Sequence, residues 1–136
     1  MTSIRPTKNL DDVLELMSTE HQQLSETIAR IKSAIDSQDL SVVRRELLRL
    51  QSSEQAHFRH EEEVMEYYDY PDIASHKDIH KVMADTLSNI NRNVVIDKLH
   101  NISDDLGVYL ERALRQILEH DNDLRDFVME LRKDTS

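Results

Sequence analysis

An all-α fold, one up-down-up-down four-helix bundle, is what this sequence predicts, and three observations predict it. Glycine occurs once and proline twice in 136 residues, which leaves little turn chemistry for a β-rich fold and favours long helices. Apolar residues recur at alternating steps of three and four along four stretches of the chain, the spacing of one helical face. The connections between these stretches are short, which sets neighbouring helices antiparallel. The length suits one domain with a substantial core and not two. Residues 1–9 read as an irregular arm and residues 10–136 as the bundle domain.

The first helix is expected over residues 10–35, with the seam Leu10, Leu14, Met17, Leu24, Ile28, Ile31 and Ile35. His21 fills the gap in that seam, four residues after Met17 and three before Leu24. Asp36-Ser37-Gln38-Asp39 breaks the helix, and Ser41 is placed to cap the next one. The second is expected over residues 42–68, with the seam Val43, Leu47, Leu50, Glu54, His57, Glu61, Val64 and Tyr68. Its apolar half gives way to a polar half in the same register. Pro71 ends this helix, and Asp72 is placed to cap the third. The third reads Ile73, His76, His80, Met83, Leu87 and Ile90, with a turn at Asn91-Arg92-Asn93. Residues 94–102 fit either an extended linker or the opening turns of the fourth helix. That helix is expected over residues 103–132, with the seam Leu106, Leu110, Ala113, Ile117, His120, Leu124, Phe127 and Leu131, and Gly107 in its first turn.

Charge and composition exclude several functions. Lys and Arg total 17 against 27 Asp and Glu, a formal charge of −10. An acidic chain with no basic cluster argues against nucleic acid and against anionic membrane surfaces. The absence of cysteine removes disulfides, thiolate metal sites and cysteine nucleophiles. No apolar run approaches the ~20 residues of a membrane span. The first residues, MTSIRPTKNLDD, lack the apolar core of a secretory signal. A cytoplasmic location is expected.

The informative residues are the polar ones inside these seams: His21, His57, Glu61, His76, His80 and His120. Polar groups at core positions are costly unless something satisfies them. Taken one at a time, a core histidine is more often structural than a ligand. In antiparallel helices, however, all of these lie toward one end of the bundle. Glu61 follows His57 by four residues and His80 follows His76 by four, which places each pair on one face. Imidazole mixed with carboxylate suits iron, manganese or zinc. A bridging carboxylate can hold two cations about 3.5–4 Å apart. Glu54, in the same seam one turn before His57, is a candidate for orienting a ligand, for contacting water at a channel or for serving as an alternative carboxylate ligand, and a small shift of register would instead leave it exposed. Glu62 is a surface residue or one that orients a ligand. His60 and His100 fall off the seams and read as surface histidines, and Tyr67, Tyr68 and Tyr70 as packing near the end of the second helix.

The string His57-Phe58-Arg59-His60-Glu61-Glu62 resembles the HFxxEE signature of hemerythrins, and His76-Lys77-Asp78-Ile79-His80 resembles their HxxxH. Glu20-His21-Gln22-Gln23-Leu24 is similar to their first-helix histidine motif, and His120 stands where their last-helix histidine belongs. The resemblance covers nearly the whole chain and is to the bacterial single-domain members. It implies a non-haem site of two iron ions, bridged by oxo or hydroxo and by carboxylate. His76, His80 and His120 would hold one iron, His21 and His57 the other, and Glu61 would bridge them. It implies reversible binding of dioxygen at the iron with an open position, for storage, delivery or sensing, with no catalytic residue. Ile117, one turn before His120, is the candidate lining residue of the oxygen pocket, and plain core packing accounts for it equally well. The family's second bridge is an aspartate five residues after the last-helix histidine, where this chain has Arg125. Asp123, on the same helical face as His120, is the nearest substitute, ahead of Asp121 and Asp126. That departure keeps two other readings open: a di-iron redox enzyme acting on peroxide or nitric oxide, and an oxygen- or iron-responsive interaction module.

Overall fold

The computed structural model describes residues 10–96 and 99–135; of the side chains in that range, those of 95, 96, 99–103, 105, 117, 118, 120, 121, 132, 134 and 135 are outside the description. Among the described residues the chain is all-helical, with α1 (Leu10–Asp36), α2 (Leu40–Tyr67), α3 (Ile73–Ile96) and α4 (Leu99–Thr135). The expected arm at residues 1–9 lies outside them. No described helix is long and apolar enough to cross a membrane.

The two described turns share one construction. At the end of α1, Gln38 N donates to Ile35 O and Asp39 N to Ala34 O, with Gln38 left-handed at φ 56°. At the end of α2, Asp69 N donates to Glu66 O and Tyr70 N to Met65 O, with Asp69 at φ 55°. Both are Schellman closures, a motif usually built on glycine. The cap of α2 is Asp39, whose carboxylate accepts from Val42 N at 3.2 Å, rather than the expected Ser41. α2 stops at Tyr67, before Pro71 can intervene.

The third helix does not turn at Asn91-Arg92-Asn93 but continues to Ile96. Continuing buries Val94 to 1 % exposure and lets Asn91 donate to Gln51 Oε1 at 2.5 Å. α4 starts at Leu99, so Gly107 stands in its interior rather than in its first turn.

The helices pack α1 on α2, α2 on α3, α3 on α4 and α4 back on α1. Residue numbers rise on one helix as they fall on its neighbour. Glu20 meets His57 while Arg30 meets Glu46, and Glu62 meets His80 while Gln51 meets Asn91. Two apolar clusters form the core. One gathers Leu24, Ile28, Leu47, Leu87 and Leu110 with their neighbours. The other gathers Leu10, Met17, Val64, Met65, Leu124 and Val128. The fold also collects arginines that the sequence spreads apart. Arg30 Nε lies 2.5 Å from buried Glu46, and Arg45 and Arg49 Nε each lie 3.5 Å from it. The hydrogen bond from Arg30 holds the Glu46 carboxyl below its ordinary pKa against the opposing effect of burial.

Candidate metal centre

Between the two apolar clusters the seams of the bundle turn polar. On α1 the break falls between Met17 and Leu24 and on α2 between Phe58 and Val64. These breaks contain His21 and Glu61, with His57 beside them. On α3, His76 and His80 lie between Ile73 and Met83. His57, Glu61, His76 and His80 are all buried. The side chain of His120 lies outside the described residues, as do those of Ile117, Asp121 and His100.

Glu61 is the focus of the described part. Its Oε1 lies 3.5 Å from His57 Nε2 and 3.3 Å from His80 Nε2. The other ring nitrogens meet further carboxylates. His57 Nδ1 is 3.2 Å from Glu20 Oε1, and His80 Nδ1 is 2.8 Å from Glu62 Oε2. Each ring thus lies between two carboxylates, Nδ1 toward Glu20 or Glu62 and Nε2 toward Glu61, and since an ionised carboxylate only accepts, whichever ring nitrogen carries the proton donates. This is the arrangement by which outer carboxylates orient metal-binding imidazoles. Phe58 stacks on His80 with centroids 4.0 Å apart and planes at 6°, which fixes the plane of that ring.

Electrostatics follow the same grouping. Burial disfavours charge on His80, but Glu61 and Glu62 outweigh it and raise its pKa. Burial likewise opposes charge on Glu20, while bonds and charge from His57 and His60 bring its pKa below the ordinary value. His60 is therefore not a surface residue: its side chain is 14 % exposed, with Nδ1 2.5 Å from Glu20 Oε2.

His76 stands apart from this pairing. Its Nε2 lies 3.4 Å from the Tyr70 hydroxyl, with the two rings edge to face at 5.0 Å. Tyr70 also packs edge-on against Phe127. Burial raises its pKa first, then the charges of Asp123, Asp72 and Glu61. Tyr70 thus links the α3 histidine to α4. Asp123 itself is exposed. His21 is half-buried on α1 and lines a recess with Met17, Ser18, Asn122 and Arg125.

Glu54 is 1 % exposed. Its Oε2 accepts from the Tyr109 hydroxyl at 2.8 Å, and that hydroxyl also lies 3.3 Å from Met83 O. Desolvation raises the Glu54 pKa to about 7 although Tyr109, His80 and His57 oppose it. Burial and Glu54 in turn push the Tyr109 pKa up. Sequence reasoning missed Glu20, Tyr70 and Tyr109. Glu20 lies next to His21 and was the one with a local signal.

Among the described residues no three His, Asp or Glu side chains are drawn up closely enough to hold an ion by themselves; Glu61 contacts His57 and His80 directly instead. The residue types fit a cation that accepts imidazole and carboxylate: two imidazole nitrogens converge on one carboxylate, with no thiolate present.

A family model described as the hemerythrin HHE cation-binding domain matches residues 12–133. Searches of curated proteins and of solved structures gave no match.

Proposed function

The chain belongs to the hemerythrin HHE cation-binding family, and we propose that it is a non-haem di-iron protein that binds dioxygen reversibly for storage, delivery or sensing. The observation that carries this reading is the position of Glu61 Oε1 between two imidazole nitrogens, each on a ring whose other nitrogen meets a second carboxylate. The reciprocal numbering of paired residues on adjacent helices supports an up-down-up-down bundle.

In this proposal His76, His80 and His120 would hold one iron, His21 and His57 the other, and Glu61 would serve both. Asp123, on the same helical face as His120, would supply the second bridge. The two irons supply the electrons for reversible dioxygen binding. The protein's part is orientation and exclusion. With iron bound, Glu20 and Glu62 would accept from Nδ1 of His57 and His80 and leave Nε2 to the metal, while Phe58 holds the plane of His80 and the apolar clusters on either side keep bulk water out.

Anaerobic loading with ferrous iron followed by metal analysis tests the proposal. Two irons per chain are expected in the wild type and fewer in His80→Ala. Asp123→Ala is expected to lose one iron; an unchanged count there assigns the second bridge elsewhere. A wild type that binds no iron overturns the reading.

A di-iron redox enzyme acting on peroxide or nitric oxide is the second reading. It is favoured by Arg125 at the family's aspartate position and by the buried Glu54–Tyr109 pair beside the histidines. A stable oxygenated form counts against it.

A further inference from the structure

We infer that His60 is a positioning residue for the candidate metal centre: it clamps Glu20, and through Glu20 it sets the orientation of the His57 ring. The inference rests on the di-iron reading and adds to it a residue outside the proposed ligand set.

α2 carries His57 and His60 three residues apart, so their side chains are neighbours on one helix face. Glu20 on α1 meets both at once. Its Oε1 lies 3.2 Å from His57 Nδ1 and its Oε2 lies 2.5 Å from His60 Nδ1. An ionised carboxylate has no proton to give, so at the shorter contact His60 Nδ1 donates. The side chains of Glu20 and His60 are 13 % and 14 % exposed and that of His57 is 1 % exposed, so little water competes for these bonds.

Two features make His57 depend on this clamp. Phe58 stacks on His80 but meets His57 tilted at 45°, with centroids 6.2 Å apart. Stacking on Phe58 therefore fixes the plane of one histidine and not of the other. Glu20, for its part, reaches across from α1 on a long side chain, whose rotamer freedom must be given up to hold a ring. His60 ties the second oxygen of that carboxylate and leaves it one arrangement. Outer carboxylates of this kind orient the imidazoles of metal sites, and here the outer carboxylate has its own holder.

Anaerobic titration with ferrous iron against a competing chelator, read as an affinity, tests the inference. His60→Leu is expected to bind iron about tenfold more weakly than the wild type, the lower end of what a ligand's lost hydrogen-bonding partner costs a metal site. His60→Asn, whose amide nitrogen can stand where Nδ1 stands and donate, should restore the wild-type affinity. A side chain that only packed would be replaced by leucine at least as well. Glu20→Ala should also weaken binding, and adding His60→Leu to it should cost nothing further, because His60 acts through Glu20. Circular dichroism checks that each variant keeps its helices. Wild-type affinity in His60→Leu, no recovery in His60→Asn, or losses that add in the double variant overturns the inference and leaves the di-iron reading standing. A wild type that binds no iron overturns both.

Discussion

Removing water from around Glu54 raises its carboxyl pKa from 4.5 to about 7, and the consequence is a pH dependence of known sign. The folded state holds this proton more tightly than the unfolded state does. The stability it contributes is fully present below the unfolded value of 4.5 and is lost progressively as the pH rises through the folded value of about 7. The shift corresponds to a change of order 3 kcal/mol. Urea denaturation of the metal-free protein at pH 5 and pH 8 should therefore show a smaller loss of stability in Glu54→Gln than in the wild type; equal losses would mean that Glu54 is not buried as described. Glu46 behaves oppositely, since its lowered pKa stabilises the protein above 4.5 and loses that effect only in stronger acid. At this scale the sequence was informative where spacing alone decides. The positions of His57, Glu61, His76 and His80 followed from the seam, and the structure buries all four. The partners were harder to read. Tyr109 reaches Glu54 across 55 residues and Glu20 reaches His57 across 37, so no local pattern announces either contact. His60 looked external because it lies off the α2 seam, but Glu20 of α1 holds it from the side.

Helix ends carry the next level of specification. Gln38 adopts a left-handed conformation that costs a non-glycine residue roughly 1–2 kcal/mol, while the adjacent Asp39 caps α2. Two neighbouring substitutions should thus act in opposite directions. Gln38→Gly is expected to stabilise the protein by about 1 kcal/mol, and Asp39→Ala to destabilise it by about 1 kcal/mol. Chemical denaturation measures both, and stabilisation by Asp39→Ala would contradict the capping geometry. The element boundaries explain what the sequence concealed. Ser41 and Asp39 are equally good helix caps in isolation, but the Schellman closure of α1 leaves Asp39 as the residue facing the first free amides of α2. Asn91-Arg92-Asn93 has turn chemistry, yet continuing the helix buries Val94 and pairs Asn91 with Gln51. Tertiary burial outweighs local preference there. With one glycine in the chain, these turns could not be located by the usual signal.

Over the whole molecule the arrangement is two apolar clusters with a polar layer between them. On α1, α2 and α3 that layering was legible because their seams lose their apolar character at matching depths. Its internal geometry was not, because the ring orientations depend on carboxylates from neighbouring helices. A buried layer of imidazole and carboxylate is costly by itself and gains from an ion that binds only the folded state. The match over residues 12–133 places the chain in a cation-binding family, and the direction of His57 and His80 Nε2 toward Glu61 agrees with that assignment. The optical spectrum of the iron-loaded, reduced protein before air, after air and after removal of oxygen tests the proposed reversible binding of dioxygen. A colourless reduced form, oxygen-to-iron charge-transfer bands on exposure to air, and loss of those bands on deoxygenation are expected. Immediate and irreversible conversion to an oxidised form would contradict it.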